Sequence, residues 1–157
     1  MARVLVVGCG CRGRSLAAAV RADGHAVRGT TRSTDGVAAI EAAGVEGVVA
    51  DPDRLGTIMG QLAGVTVVCW LMGSATGAPD LHGPRLETLL ERLVDTPVRG
   101  IVYEAAGSVE PALLTGGAAA VRAAAERWRM PAEVVEADPG AHEAWLAAMR
   151  AAVERLL

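Results

Sequence analysis

Short apolar runs of four to seven residues alternate with longer amphipathic segments almost from one end of this chain to the other. Ala2–Val7, His25–Gly29, Glu46–Ala50, Val65–Leu71, Val98–Tyr103 and Ala132–Glu136 read as strands. The first and fourth are nearly unbroken apolar stretches, the pattern of strands covered on both faces of a parallel sheet. Arg12–Ala22, a segment capped at Thr34 or Asp35 and closed by Gly44, and one running from Asp53 to Ala63 read as helices. Arg85–Val94, Ala118–Arg129 and a last segment opening at Pro139 or Gly140 complete the set. Gly73–Gly83 and Glu104–Gly117 read as loops, the second with a turn of helix at Pro111–Leu114. Strict strand–helix alternation demands parallel strands joined by right-handed crossovers.

Six such units predict an α/β architecture: a doubly wound six-stranded parallel sheet in strand order 3-2-1-4-5-6, the Rossmann layout. They take up residues 1–157 as a single domain without linker or repeat. With 157 residues, 52% hydrophobic and 21% charged, the chain has ample apolar content for one core and too much for a disordered segment. A net charge of −3 gives no broad attraction to nucleic acid or acidic lipid. No apolar run nears the roughly 20 residues that cross a bilayer. The opening run leads into glycines instead of a cleavage site, so a cytoplasmic location is expected. All 15 basic residues are arginine. Without lysine there is no Schiff base, no Walker-type phosphate clamp and no Tyr–Lys catalytic pair. Cys9, Cys11 and Cys69 are too few for a disulfide framework. Cys9 and Cys11 stand too close together for a zinc pair, so no metal is expected and they read as small residues near a tight turn.

That turn carries the chemistry. Gly8-Cys9-Gly10-Cys11-Arg12-Gly13 is a full G-x-G-x-x-G, placed directly after the first strand and opening a helix. Gly8 permits the sharp exit from the strand, Gly10 lets a pyrophosphate approach bare backbone, and Gly13 lets the helix pack closely. The helix start offers free N–H groups and partial positive charge to phosphates. The tip of strand two then selects the cofactor. NAD sites usually carry Asp or Glu there for the ribose hydroxyls. Here stand Thr31, Arg32 and Ser33, a guanidinium between two hydroxyls, which suits the 2′-phosphate of NADP better than NAD. Arg32 reads otherwise as a solvated charge. Arg12 can stack on adenine or reach the same phosphate. Asp51 meets the adenine edge or simply forms the turn before Pro52. Leu71, Met72, Gly73 and Ser74 follow strand four, where the nicotinamide end would emerge. Trp70 needs a partner for its indole N–H if it is buried.

Gly8–Gly13, the Thr-Thr-Arg-Ser tip of strand two, Asp51 and the strand Val98–Tyr103 together resemble the atypical short-chain dehydrogenase/reductase proteins, in particular the nucleoside-diphosphate-sugar epimerase and NmrA-like groups. The resemblance implies NADP(H) binding at Gly8, Gly10, Gly13 and Arg32. It does not carry over the family's Tyr-x-x-x-Lys pair. Tyr103, the single tyrosine, lies in strand five, and Ser108 lacks its partners. Tyr103, Glu104 and His82 remain the catalytic candidates, with Asp138 and His142 at the same sheet edge. His82 reads as a solvated loop residue and Glu104 as a cap. The sequence therefore predicts an NADP(H)-binding protein without the usual catalytic pair, a redox sensor or subunit. The alternatives are a small NADP-dependent oxidoreductase or epimerase-like enzyme acting on an unidentified small molecule, or an interaction module. Trp145, Met149, Val153 and Leu156 form one stripe of the last helix, to pack on the sheet or pair in a homodimer.

Overall fold

Alternation of side chains along each strand, period two, sorts the core into two halves. In the computed structural model, which describes residues 2–157, the strands are β1 (Arg3–Val7), β2 (Ala26–Thr31), β3 (Glu46–Val49), β4 (Val67–Trp70), β5 (Gly100–Glu104) and β6 (Ala132–Val135). They form one sheet in the order β3-β2-β1-β4-β5-β6, every pairing parallel. This is the doubly wound arrangement that the alternation of elements predicts. Val4 and Val6 of β1, Cys69 of β4 and Val102 of β5 face α1 (Cys11–Ala22), α2 (Thr34–Ala42) and α6 (His142–Leu156). Leu5, Val7, Trp70, Ile101 and Tyr103 face α3 (Leu55–Met59), α4 (Pro84–Leu93) and α5 (Pro111–Trp128). Central strands covered twice have no polar face, which is why β1 and β4 are continuous apolar runs.

The stripe on α6 is used inside the chain. Trp145, Met149 and Val153 are fully buried in the second of these cores. That removes the stripe as an argument for a homodimer. Trp70 is fully buried too, and its indole N–H donates to the Leu81 carbonyl at 3.0 Å.

Several elements differ from expectation. α5 starts at Pro111, not at Ala118, because Thr115-Gly116-Gly117 continues the helix. Gly117 is there for space, since a Cβ would lie 2.0 Å from the Tyr103 hydroxyl. α3 ends at Met59, in a segment interrupted by Gly56 and Gly60, which are poor helix residues. Ser33, not Thr34 or Asp35, caps α2, its hydroxyl accepting from the Gly36 N–H at 3.4 Å. Within the loop after β4, Pro79–His82 forms a short 3₁₀ turn.

Candidate functional site

The strand order reverses at β1, whose neighbours are β2 on one side and β4 on the other. The chain leaving β1 must therefore stand over a crevice between oppositely directed crossovers. Gly8 makes the exit at φ +83°, with no room for a side chain: a Cβ would lie 2.6 Å from the Leu71 carbonyl oxygen. Its N–H and that of Cys9 are taken by Thr30, whose buried hydroxyl and carbonyl accept at 3.3 and 3.0 Å. Gly13 packs α1 on the strand, a Cβ there falling 2.8 Å from the Gly8 carbonyl oxygen.

Gly10 differs from both. Its backbone is extended, at φ −80° and ψ −154°, and apart from its chain neighbours no described residue comes within 4 Å of where a Cβ would stand. Neither the backbone nor the packing of this chain requires glycine there. Beyond it the N–H groups of Cys11, Arg12 and Gly13 have no partner among the described residues, and α1 has no side-chain cap. Three free donors at the positive end of a 12-residue helix form an anion cradle.

Two cavities meet at this cradle. One, of about 370 Å³, runs from Gly8, Cys9 and Gly10 along the β2 tip, past Thr31, Arg32 and Ser33, to Ala50 and Pro52. It has no acidic residue in its lining. Arg14 also lines it, and neither Arg14 nor Arg32 is held by an ion pair among the described residues. The other, of about 210 Å³, starts at Gly8, Gly10, Cys11, Arg12 and Gly13 and runs past Leu71 and Ser74 to Glu104 and Trp145.

This placement revises several expectations. Arg12 lies on the β4 side, where its guanidinium donates to the Ser74 hydroxyl at 2.7 Å, so it does not share the β2-side cavity with Arg32. Arg14, unremarked in the sequence, does. Positions i and i+2 of a helix lie about 200° apart, which sends Arg12 and Arg14 to opposite flanks. Asp51 lines neither cavity; its carboxylate accepts from the Asp53 N–H at 2.9 Å, the turn-forming role. Gly73 also lines neither. A Cβ on it would lie 2.0 Å from the Ala106 carbonyl oxygen, so packing explains it. Cys9 is buried and its thiol is pushed up to about 11 by that burial, while Cys11 is exposed at the start of α1.

The catalytic candidates separate. His82 is 3% exposed rather than solvated. Its Nε2 lies 2.9 Å from the Met72 carbonyl, which only accepts, so Nε2 carries the proton. Nδ1 then accepts from the Tyr103 hydroxyl at 2.6 Å. Burial holds the His82 pKa below its ordinary value and raises that of Tyr103. The pair is neutral, closed on itself, and lines neither cavity. Glu104 is not a helix cap. It is 2% exposed, one oxygen accepting from the Gly73 N–H at 2.8 Å and the other from the Trp145 indole N–H at 2.9 Å. Burial raises its pKa, opposed by these two bonds and by Arg12. Ser108 and His142 are exposed, and the exposed Asp138 accepts from the Gly140 N–H at 2.8 Å. No helix among the described residues is long and apolar enough to cross a membrane.

No family model matches the chain, and no curated protein matches it in sequence. Its fold is similar to several solved structures. A mutant UDP-glucuronic acid 4-epimerase from Bacillus cereus, in complex with a fluorinated UDP-sugar and NAD, is 13% identical with a TM-score of 0.64 over 84% of this chain and 55% of that one. A short-chain dehydrogenase/reductase superfamily protein from Agrobacterium tumefaciens with bound NAD is 21% identical, with a TM-score of 0.65 over 84% and 48%. The triphenylmethane reductase of Citrobacter sp. complexed with NADP(H) is 19% identical, with a TM-score of 0.63 over 83% and 48%. The chain thus spans about half the length of these proteins, and at such identities the likeness is one of fold.

Proposed function

We propose that this chain binds NADP(H) across the β1–α1 turn, as a dinucleotide-binding domain without Tyr-x-x-x-Lys chemistry, serving as a redox sensor or a subunit of a larger assembly. The observation that carries the reading is Gly10: open space at its Cβ position beside three unpartnered amides. A diphosphate fits the cradle, because it needs both the donors and the room. The two cavities extend to opposite sides of that point, as the two halves of a dinucleotide require. Arg32 and Arg14, with the Thr31 and Ser33 hydroxyls, suit a 2′-phosphate at the β2 tip, and the absence of a carboxylate there disfavours NAD. When bound, such a cofactor supplies hydride chemistry, for which the chain contributes orientation and electrostatics. The alternative, a small reductase or epimerase-like enzyme, draws on the carboxyl of Glu104 in the β4-side cavity and on the activities of the proteins that share the fold.

Calorimetric titration with NADPH and NADH tests the cofactor assignment. The wild type should bind NADPH more tightly. Arg32→Glu should weaken NADPH by about 100-fold, the loss of one strong charge-assisted contact plus repulsion, and should leave NADH nearly unchanged. Equal losses for both would refute a role in reading the 2′-phosphate.

A further inference from the structure

At the edge of the sheet opposite the glycine turn, where β1, β2 and β3 begin and α1 and α2 end, a cavity of about 420 Å³ is lined by Arg3, Arg21, His25 and Glu46. The length of β1 separates it from the cradle, and it shares no residue with the two cavities that meet there. Its charges do not balance. Glu46 is the one acid in the lining, and Arg28 engages it, Nε donating to the carboxylate at 2.7 Å. The acids around the rim are engaged as well. Asp23, beside the lining Gly24, accepts two hydrogen bonds from Arg150, and Glu154 accepts from the His25 Nε2 at 3.1 Å. Arg3 and Arg21 are left, neither with an ion-pair partner among the described residues. They come from different elements. Arg3 opens β1 and is partly buried, while Arg21 stands in the last turn of α1. The Arg21 guanidinium reaches across to the end of α2, where a Cβ on Gly44 would lie 2.6 Å from its Nη1. Two like charges on one concave wall repel each other unless an anion lies between them. Because α1 and α2 end here, their carbonyls add only negative partial charge, so the arginines supply the attraction for an anion.

We propose that this cavity is a second ligand site, which takes a small phosphate monoester with its phosphate on Arg3 and Arg21. A doubly charged phosphate matches two guanidiniums, and each planar fork can give its oxygens two parallel hydrogen bonds. The cavity is larger than a phosphate group alone would fill. The rest of its wall includes Ala26, Val27 and Val45, an apolar surface that suits a short organic group on the ester. The site is independent of the dinucleotide reading, since none of its residues belongs to the cradle.

Amide NMR titration of the full chain with phenyl phosphate and with inorganic phosphate tests this, residue by residue, apart from any anion taken up by the cradle. The resonances of Gly24, His25, Ala26, Gly44 and Val45 should shift and saturate. Phenyl phosphate should bind there about fivefold more tightly than inorganic phosphate, through its buried ring. Arg3→Gln and Arg21→Gln should each weaken phenyl phosphate at these residues by about tenfold, the loss of one charge-assisted contact, and leave any shifts at Cys11–Gly13 unchanged. Arg99→Gln removes an exposed arginine from the same edge of the sheet, outside the lining, and should alter neither. Circular dichroism verifies that each variant is folded. Shifts confined to Cys11–Gly13, shifts at Gly24–Ala26 that never saturate, an equal loss in Arg99→Gln, or undiminished binding in Arg3→Gln and Arg21→Gln would each overturn the proposal and leave the dinucleotide reading standing. Equal affinity for the two probes would overturn the assignment to an ester.

Discussion

Gly10→Val is expected to weaken NADPH binding by about 100-fold or more, the equivalent of losing one or two charge-assisted hydrogen bonds. It should lower the melting temperature by only about 2–4 °C. The separation of the two effects is the point. Gly10 is extended with a negative φ, a backbone open to residues other than glycine, and apart from its chain neighbours no described residue comes within 4 Å of its Cβ position. The small loss of stability comes from valine being a poor helix N-cap. The added methyl groups would project toward the three free amides and hold phosphate oxygens off them. Gly13→Ala provides the contrast. Its Cβ would meet the Gly8 carbonyl oxygen at 2.8 Å, so it should disturb the β1–α1 packing itself, and both binding and melting should suffer. Calorimetry and thermal unfolding on the two variants distinguish a ligand-required glycine from a packing-required one. Full NADPH affinity in Gly10→Val would mean that the bare backbone serves no ligand.

The largest effect on stability should come from Trp145→Ala, at about 3–5 kcal/mol by the precedent of buried aromatic deletions. Trp145 is fully buried on α6, packed with Met149 and Val153 against the sheet. Its removal leaves a cavity and also strips one of the two donors from the Glu104 carboxylate. A buried carboxyl group that loses one of its two hydrogen-bond donors adds desolvation cost to the lost packing. Trp145→Phe fills most of the space and should cost about 1–3 kcal/mol, mainly for the missing N–H. Denaturant unfolding of both variants measures the difference. A cost below about 1 kcal/mol for Trp145→Ala would show that α6 is not seated on the sheet as described.

The fold was legible because its signals are local. Period-two burial, helix-length amphipathic segments and glycine stops each sit within a dozen residues, and strict alternation leaves few topologies. The cradle was legible for the same reason, since Gly8–Gly13 adjoins β1 directly. What escaped depends on distant contacts. Glu104 looked like a cap because its partners, Gly73 and Trp145, lie 31 and 41 residues away. His82 looked solvated because its loop is polar, yet Tyr103 and the Met72 carbonyl close over it. Thr115-Gly116-Gly117 reads as a breaker unless the Tyr103 hydroxyl beneath α5 is known. Arg14 was the exception. Its opposition to Arg12 follows from helical geometry alone, and the 200° offset was available in the sequence.

Backbone amide NMR during titration with NADPH tests the central claim most directly, because the phosphates are held to meet particular N–H groups. The resonances of Cys11, Arg12 and Gly13 should move most, together with those of Thr31, Arg32 and Ser33 at the β2 tip. Saturable binding that leaves the Cys11–Gly13 amides in place, or that shifts only residues beyond the two cavities such as Ala112–Ala118, would contradict it.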